Sequence, residues 1–145
     1  MAMFLGEFKH TIDDKGRLTV PARFRPVFES GLFVTVGLDQ CLWVYSREGW
    51  DLFSQKLAKL PSGDAQARMA TRFFFSQATD AQPDRQGRIL LPENLRQYAN
   101  LGDGAIVIGA NERVEIWQPD RWEATKLAFQ ANLAEIAAQL TSLSI

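Results

Sequence analysis

Short apolar runs bounded by glycine, proline and acidic residues organise this chain. The triplets LTV at 18–20 and ILL at 89–91 are branched residues that suit buried strands; each follows Asp-x-x-Gly-Arg and precedes a proline. Longer runs at 32–45 and 105–117 are interrupted by Gly-Leu-Asp-Gln and Gly-Ala-Asn-Glu, which predicts two hairpins. Beyond the first, Trp50, Phe53, Leu57 and Leu60 recur at helical spacing behind Ser46, a capping residue, and Pro119 opens a helix after the second. PENLRQYANLG at 92–102 predicts a short helix opened by Pro92 and closed near Gly102, whereas Pro26 shortens or breaks its counterpart behind Pro21. Pro61-Ser-Gly-Asp interrupts the chain before a helical segment over 64–73. At the C-terminal end, Trp122, Phe129, Ile136 and Leu143 share one heptad position, and Leu133 and Leu140 share the other. Such a seam on a long helix serves either a subunit contact or packing on its own chain, and Lys126 interrupts it.

These elements occur twice. DDKGRLTVPARFR at 13–25 returns as DRQGRILLPENLR at 84–96, with Gly87 lying 71 positions after Gly16. VGLDQCLWVYSREGW at 36–50 aligns with IGANERVEIWQPDRW at 108–122, 72 positions on, so one inserted residue separates the blocks. Each copy therefore reads as β-turn-β-α-β-β-α. The expected division is a first module with its helix at 1–60, a helical connector at 61–76, and a second module with a long C-terminal helix at 77–145.

Size makes the copies interdependent. The 145 residues, 46% hydrophobic and 23% charged, suit a compact soluble protein. A chain this long buries about 70% of its unfolded surface, against about 60% for either half alone, so the halves profit from a shared core. A formal net charge of −1 excludes a chain that coats nucleic acid through bulk charge. No apolar stretch approaches the roughly 18 residues of a membrane span, and the apolar run in MAMFLGEFKH ends at Glu7, so neither a signal peptide nor an anchor is expected. The lone Cys41 allows no internal disulfide, which makes the cytoplasm the default compartment.

Local chemistry concentrates around the first repeat. Residues 15–25 carry Lys15, Arg17, Arg23 and Arg25 without an acid. A glycine turn lets backbone approach a phosphate, and an arginine fork suits phosphate oxygens or a guanine edge; the alternative is a solvated turn in which these bases pair with Asp13 and Asp14. The second copy keeps Arg88 and Arg96 but has Gln86 and Asn94 where the first has Lys15 and Arg23. Residues 1–72 hold ten bases and eight acids, and 73–145 six and nine, which polarises the charge toward the first copy. For catalysis, only Glu7, His10, Asp13 and Asp14 cluster; His10-x-x-Asp13 is a partial metal pattern without further ligands at suitable spacing. Cys41 lies in an apolar strand, no phosphate-binding glycine loop of Walker or dinucleotide type is present, and Trp43, Trp50, Trp117 and Trp122 read as core anchors. No catalytic residue, metal or cofactor is expected.

The twice-repeated D-x-[KQ]-G-R-x-x-x-P-x-x-x-R, the start MFLGE at 3–7, the middle ARMATRFFFSQA at 67–78 and the second DRQGRILLP together resemble the MraZ family of bacterial transcriptional regulators. That resemblance covers nearly the whole chain. It implies an α+β fold, with two SpoVT-AbrB modules whose swapped hairpins interlock into a β-barrel-like unit with flanking helices. It also implies a ring-shaped homo-oligomer that binds double-stranded DNA at promoter direct repeats, nucleoid-associated in the cytoplasm, typically repressing the division and cell wall gene cluster. Carried over by position, it points to Arg17 and Arg25 as DNA contacts with Lys15 and Arg23 beside them, and to Arg88 and Arg96 as second-copy equivalents. Asp13, Gly16, Asp84 and Gly87 are assigned to loop shape. Two other readings stay open: an antitoxin-like or transition-state regulator sharing the module, and a ring-forming scaffold whose arginine loops bind acidic protein partners. No membrane or small-molecule substrate enters any of them.

Overall fold

A computed structural model describes residues 3–145. The first copy runs β1 (Glu7–Thr11), β2 (Arg17–Thr19), a 3-10 helix (Ala22–Phe28), β3 (Leu32–Val36), β4 (Leu42–Ser46) and α1 (Arg47–Ala58). After α2 (Ala65–Ser76), the second runs β5 (Thr79–Ala81), β6 (Arg88–Leu90), α3 (Glu93–Tyr98), β7 (Gly104–Ala110), β8 (Arg113–Trp117) and α4 (Pro119–Ala131), and α5 (Leu133–Ser142) follows. The element after β2 is a 3-10 helix where the second copy has α3, because Pro26 lies inside it and cannot donate a helical hydrogen bond. Ser46 caps α1, its Oγ accepting from the Gly49 N–H at 3.1 Å.

Strand pairing crosses between the copies. The six-stranded antiparallel sheet has the order β1-β7-β8-β4-β3-β5. The first copy's β1 lies on the second copy's hairpin, Glu7 opposite Ile108, and the second copy's β5 lies on the first copy's hairpin, Leu32 opposite Ala81. A separate two-stranded sheet joins β2 to β6. The architecture is α+β, but the large sheet ends at β1 and β5 and is not closed. The barrel-like expectation is thus met only as far as antiparallel sheets with flanking helices.

Side chains weld the halves where the hairpins meet. Trp43 of β4 faces Glu115 of β8, whose buried carboxylate accepts from Arg113 at 2.8 Å and from the Trp117 indole at 3.0 Å. The Arg113 guanidinium sits 4.0 Å over the Trp43 ring, so the buried charge is paired and its partner is stacked. The Thr35 hydroxyl donates to the Phe74 carbonyl at 2.6 Å, tying α2 to β3, and the Tyr98 hydroxyl reaches the Gly37 carbonyl across the copies at 2.6 Å. Cys41 is buried, with Sγ 3.0 Å from the Leu38 carbonyl. Burial above all pushes its thiol up to about 12, which leaves it an unreactive core residue.

The long C-terminal helix is corrected to two. Asn132 leaves helical geometry at φ −115° and ψ 26°, and its side-chain amide donates to the Ala128 carbonyl at 3.1 Å. An asparagine that bonds the preceding turn competes with helix continuation, so the heptad seam bends between Phe129 and Ile136. Trp122 packs on Trp117 with ring centroids 5.1 Å apart, whereas Leu127, Phe129, Leu133, Leu140 and Leu143 remain exposed.

The segment before β1 extends the cross-copy pairing. Phe4 and Asn111 exchange backbone hydrogen bonds of 2.9 and 3.0 Å, and the buried Phe4 ring contacts Phe24 and Phe28, each at 5.3 Å. Phe4→Ala should lower the unfolding free energy by about 3–5 kcal/mol, measured by urea denaturation at fixed protein concentration. A loss below about 1 kcal/mol would mean this segment is not part of the cooperative core.

Candidate nucleic-acid interface

The two Asp-x-x-Gly-Arg segments form the same turn. In the first, Asp13 Oδ1 accepts from the N–H groups of Lys15 (3.0 Å) and Arg17 (2.9 Å), and Oδ2 accepts from Arg17 Nε at 2.7 Å. In the second, Asp84 Oδ1 accepts from Gln86 (2.9 Å) and Arg88 (2.8 Å), and Oδ2 from Arg88 Nε at 3.0 Å. Gly16 and Gly87 have φ of +82° and +76°, a region that L side chains rarely adopt. Each carboxylate therefore fixes both the loop and the arginine that leaves it. Backbone N–H donation from Arg17 and Arg88, with their guanidinium groups next, holds the Asp13 and Asp84 carboxyls below the usual carboxylate range.

Pairing of β2 with β6 brings both arginines to one surface. Register places Arg17 opposite Leu90, Leu18 opposite Ile89 and Thr19 opposite Arg88. Side chains alternate along a strand, so Leu18 and Ile89, 1% and 3% exposed, face the core. Arg17, Thr19, Arg88 and Leu90 form the outer face. The ribbon is lengthened by hydrogen bonds from Val20 N–H to the Gly87 carbonyl (2.7 Å) and from Leu91 N–H to the Gly16 carbonyl (2.9 Å), so each strand ends on the other copy's turn. Arg88 Nη1 also comes within 3.8 Å of Asp13 Oδ2, leaving it beside two carboxylates.

Arg25 and Arg96 occupy a different place. Arg25 Nε donates to the Val20 carbonyl at 2.9 Å, and Arg96 Nε to the Leu91 carbonyl at 2.8 Å. Each guanidinium packs against the other copy's turn glycine. A Cβ added at Gly16 would meet Arg96 Nε at 2.8 Å, and one at Gly87 would run into Arg25. These half-buried arginines brace the turns from behind, while Lys15 and Arg23 are exposed. Asn94, which replaces Arg23 in the second copy, donates to Gln77 at 3.0 Å.

Two outward residues escaped the sequence reading. Arg85 is exposed in the second turn, where the first copy has Asp14; the aligned repeats carry this charge reversal in plain view. Leu90, expected in a buried strand, is 56% exposed because it alternates with Ile89. The partial metal pattern is not assembled. Glu7 instead accepts from the Trp122 indole (2.9 Å) and Lys126 (3.3 Å), Asp13 is held in its turn, and burial followed by the Arg25 charge lowers the His10 pKa. Among the described residues, no group of three or more His, Cys, Asp or Glu side chains is placed to hold a metal ion.

The turn's hydrogen bonds make a direct expectation. Asp13→Ala should speed amide exchange at Lys15 and Arg17, whereas Asp13→Asn, which retains an acceptor, should leave it closer to wild type. The lowered folded pKa also sets the sign with pH. The carboxylate's stabilisation is complete above the unfolded value of about 3.9 and is lost as pH falls through the lower folded value. Exchange protection that stays flat down to about pH 5 and then declines fits this; a decline centred near neutrality does not.

Comparison with known proteins places this geometry. Residues 3–73 and 74–143 each match a family model described as "MraZ protein, putative antitoxin-like". A Transcriptional regulator MraZ of Roseiflexus sp. strain RS-1 is 48% identical over 141 residues, covering 97% of this chain and 99% of the relative. One of Moorella thermoacetica is 56% identical over 121 residues, 83% of this chain and 85% of the relative. Another, of Ligilactobacillus salivarius, is 44% identical over 143 residues, 99% and 100%. With both repeats matched and relatives of this identity aligned end to end, the chain belongs to the MraZ family.

Proposed function

We propose that this protein is a sequence-specific DNA-binding transcriptional regulator, a repressor of the division and cell wall gene cluster that occupies promoter direct repeats. The observation that carries the reading is the outer face of the β2–β6 ribbon, where Arg17 and Arg88 stand on one surface, each anchored by an aspartate. A two-stranded ribbon fits the major groove, and arginine forks suit guanine edges and phosphates. Lys15 and Arg85 are exposed in the turns that enter β2 and β6, Arg23 is an exposed base on the 3-10 helix that follows β2, and Arg25 and Arg96 hold the turns while adding positive charge beside them. The name borne by the relatives, Transcriptional regulator MraZ, supports the same class. Repression is occupancy of a promoter that polymerase needs, with no chemistry performed.

The modules at 1–60 and 77–145, joined by the connector at 61–76, act in this reading as one swapped-hairpin unit. A subunit of net charge −1 gains little from bulk attraction to a polyanion. Several ribbons presented together to spaced repeats gain affinity by avidity, and a ring-shaped homo-oligomer presents them. The exposed apolar residues of α4 and α5 supply a subunit contact. No helix of the described residues is long and apolar enough to cross a membrane; the working place is the nucleoid.

Mobility shifts with the duplex upstream of its own coding sequence, against a scrambled duplex at two salt concentrations, test the reading. Specific, salt-weakened binding is expected. Arg17→Ala should lose about 5- to 150-fold, the range of a base-reading arginine, and Arg88→Ala less, because two carboxylates already neutralise Arg88 and Arg85 stands beside it. Equal losses at one salt concentration sink the asymmetry; binding to neither duplex by an assembled oligomer turns the reading toward a scaffold for acidic proteins. Leu133→Glu with Leu140→Glu should reduce the particle mass in sedimentation equilibrium, and an unchanged mass would move the subunit contact elsewhere.

A further inference from the structure

The outer face of the ribbon has near-twofold symmetry with one break. Arg17 and Arg88 hold matching repeat positions, but the residue opposite Arg17 is Leu90 and the residue opposite Arg88 is Thr19. Leu90 is 56% exposed and directly opposite Arg17, on a face it shares with Thr19 and Arg88. Among the described residues, its neighbours leave more than half of its surface open. Cross-strand neighbours stand about 5 Å apart at Cβ, so Leu90 faces the same stretch of a bound duplex as Arg17.

We propose that Leu90 is a specificity-determining residue that contacts a thymine 5-methyl group beside the base read by Arg17. The inference rests on the DNA-binding reading above and deepens it. The thymine methyl is the apolar group that base edges present in the major groove; leucine can make only that apolar contact, whereas threonine also has a hydroxyl that hydrogen-bonds to more than one base. Leu90 therefore reads where Thr19 tolerates. The unlike turns, with Asp14 against Arg85 and Lys15 against Gln86, already give each subunit a polarity along the duplex, and the Thr19–Leu90 difference extends that polarity to the groove-facing positions. Direct repeats, unlike palindromes, require such a polarity from every subunit.

Uracil lacks only that methyl, which makes the test direct. The duplex upstream of the protein's own coding sequence is prepared once with thymine and once with deoxyuridine throughout, and both are titrated with the wild type and with Leu90→Ser. This substitution leaves the buried Leu18 and Ile89 face untouched, and circular dichroism and sedimentation verify fold and assembly. The wild type should bind the uracil duplex about fourfold more weakly per methyl contacted, and Leu90→Ser should bind both alike. An equal thymine preference in wild type and variant, or no preference in the wild type, overturns the inference while specific binding keeps the DNA reading intact. Failure of the wild type to bind either duplex overturns both, and a changed particle mass in Leu90→Ser overturns the inference by assigning Leu90 to a subunit contact.

Discussion

Neither repeat can build the β2–β6 ribbon alone, and the rest of the molecule follows from that. Three residues of β2 need three of β6, and the hydrogen bonds that lengthen the pair run from Val20 to Gly87 and from Leu91 to Gly16. The larger sheet repeats the exchange, since β1 and β5 each complete the other copy's hairpin. An isolated two-stranded ribbon is marginal in water. This one persists because Leu18 and Ile89 press into a core supplied by both halves. The half-buried arginines of the ribbon's outer face are thus positioned by the hydrophobic interior of the whole chain.

The arginines divide their donors between structure and surface. Arg17 and Arg88 spend Nε on the aspartate of their own turn, and Arg25 and Arg96 spend Nε on a strand carbonyl. A guanidinium has five N–H donors in a rigid fork, so holding it through Nε orients the two terminal nitrogens. Lysine has no equivalent fixed geometry. The aspartates subtract charge from a surface proposed to meet a polyanion, and in return they remove rotamer freedom that binding would otherwise have to freeze. Glycine completes the arrangement twice over, by its positive φ and by leaving room for the other copy's arginine.

Much of this was legible in the sequence because local chemistry dictated it. The Asp-x-x-Gly-Arg turns, the Ser46 cap, the broken helix at Pro26 and both hairpins follow from residues within a few positions of one another. What local pattern could not convey was pairing across about seventy residues. ILL reads as a buried run, yet in a ribbon with one covered face the pleat sends Leu90 outward. The family resemblance points to Arg25 and Arg96 as DNA contacts, and only pairing across the copies adds that each guanidinium packs against the other copy's turn glycine. The C-terminal segment reads as one long helix because apolar spacing carries no record of Asn132 bonding back to Ala128.

Charge summed over halves also misleads at this surface. Residues 73–145 carry the deficit, but their acids include Asp120 and Glu123 on α4 and Glu115 in the core. The five-residue turn at 13–17 has no net formal charge, because Asp13 and Asp14 cancel Lys15 and Arg17, whereas the turn at 84–88 is +1 through Arg85 and Arg88 against Asp84. Screening at physiological salt acts over about 8 Å, so acids elsewhere in the second half are weak influences on a partner at the ribbon. The second turn is then the more positive at close range, although its strand arginine is the more neutralised. Each turn carries two bases, Lys15 and Arg17 in the first and Arg85 and Arg88 in the second, and the difference between the copies is Asp14, whose place Arg85 takes while Gln86 replaces Lys15.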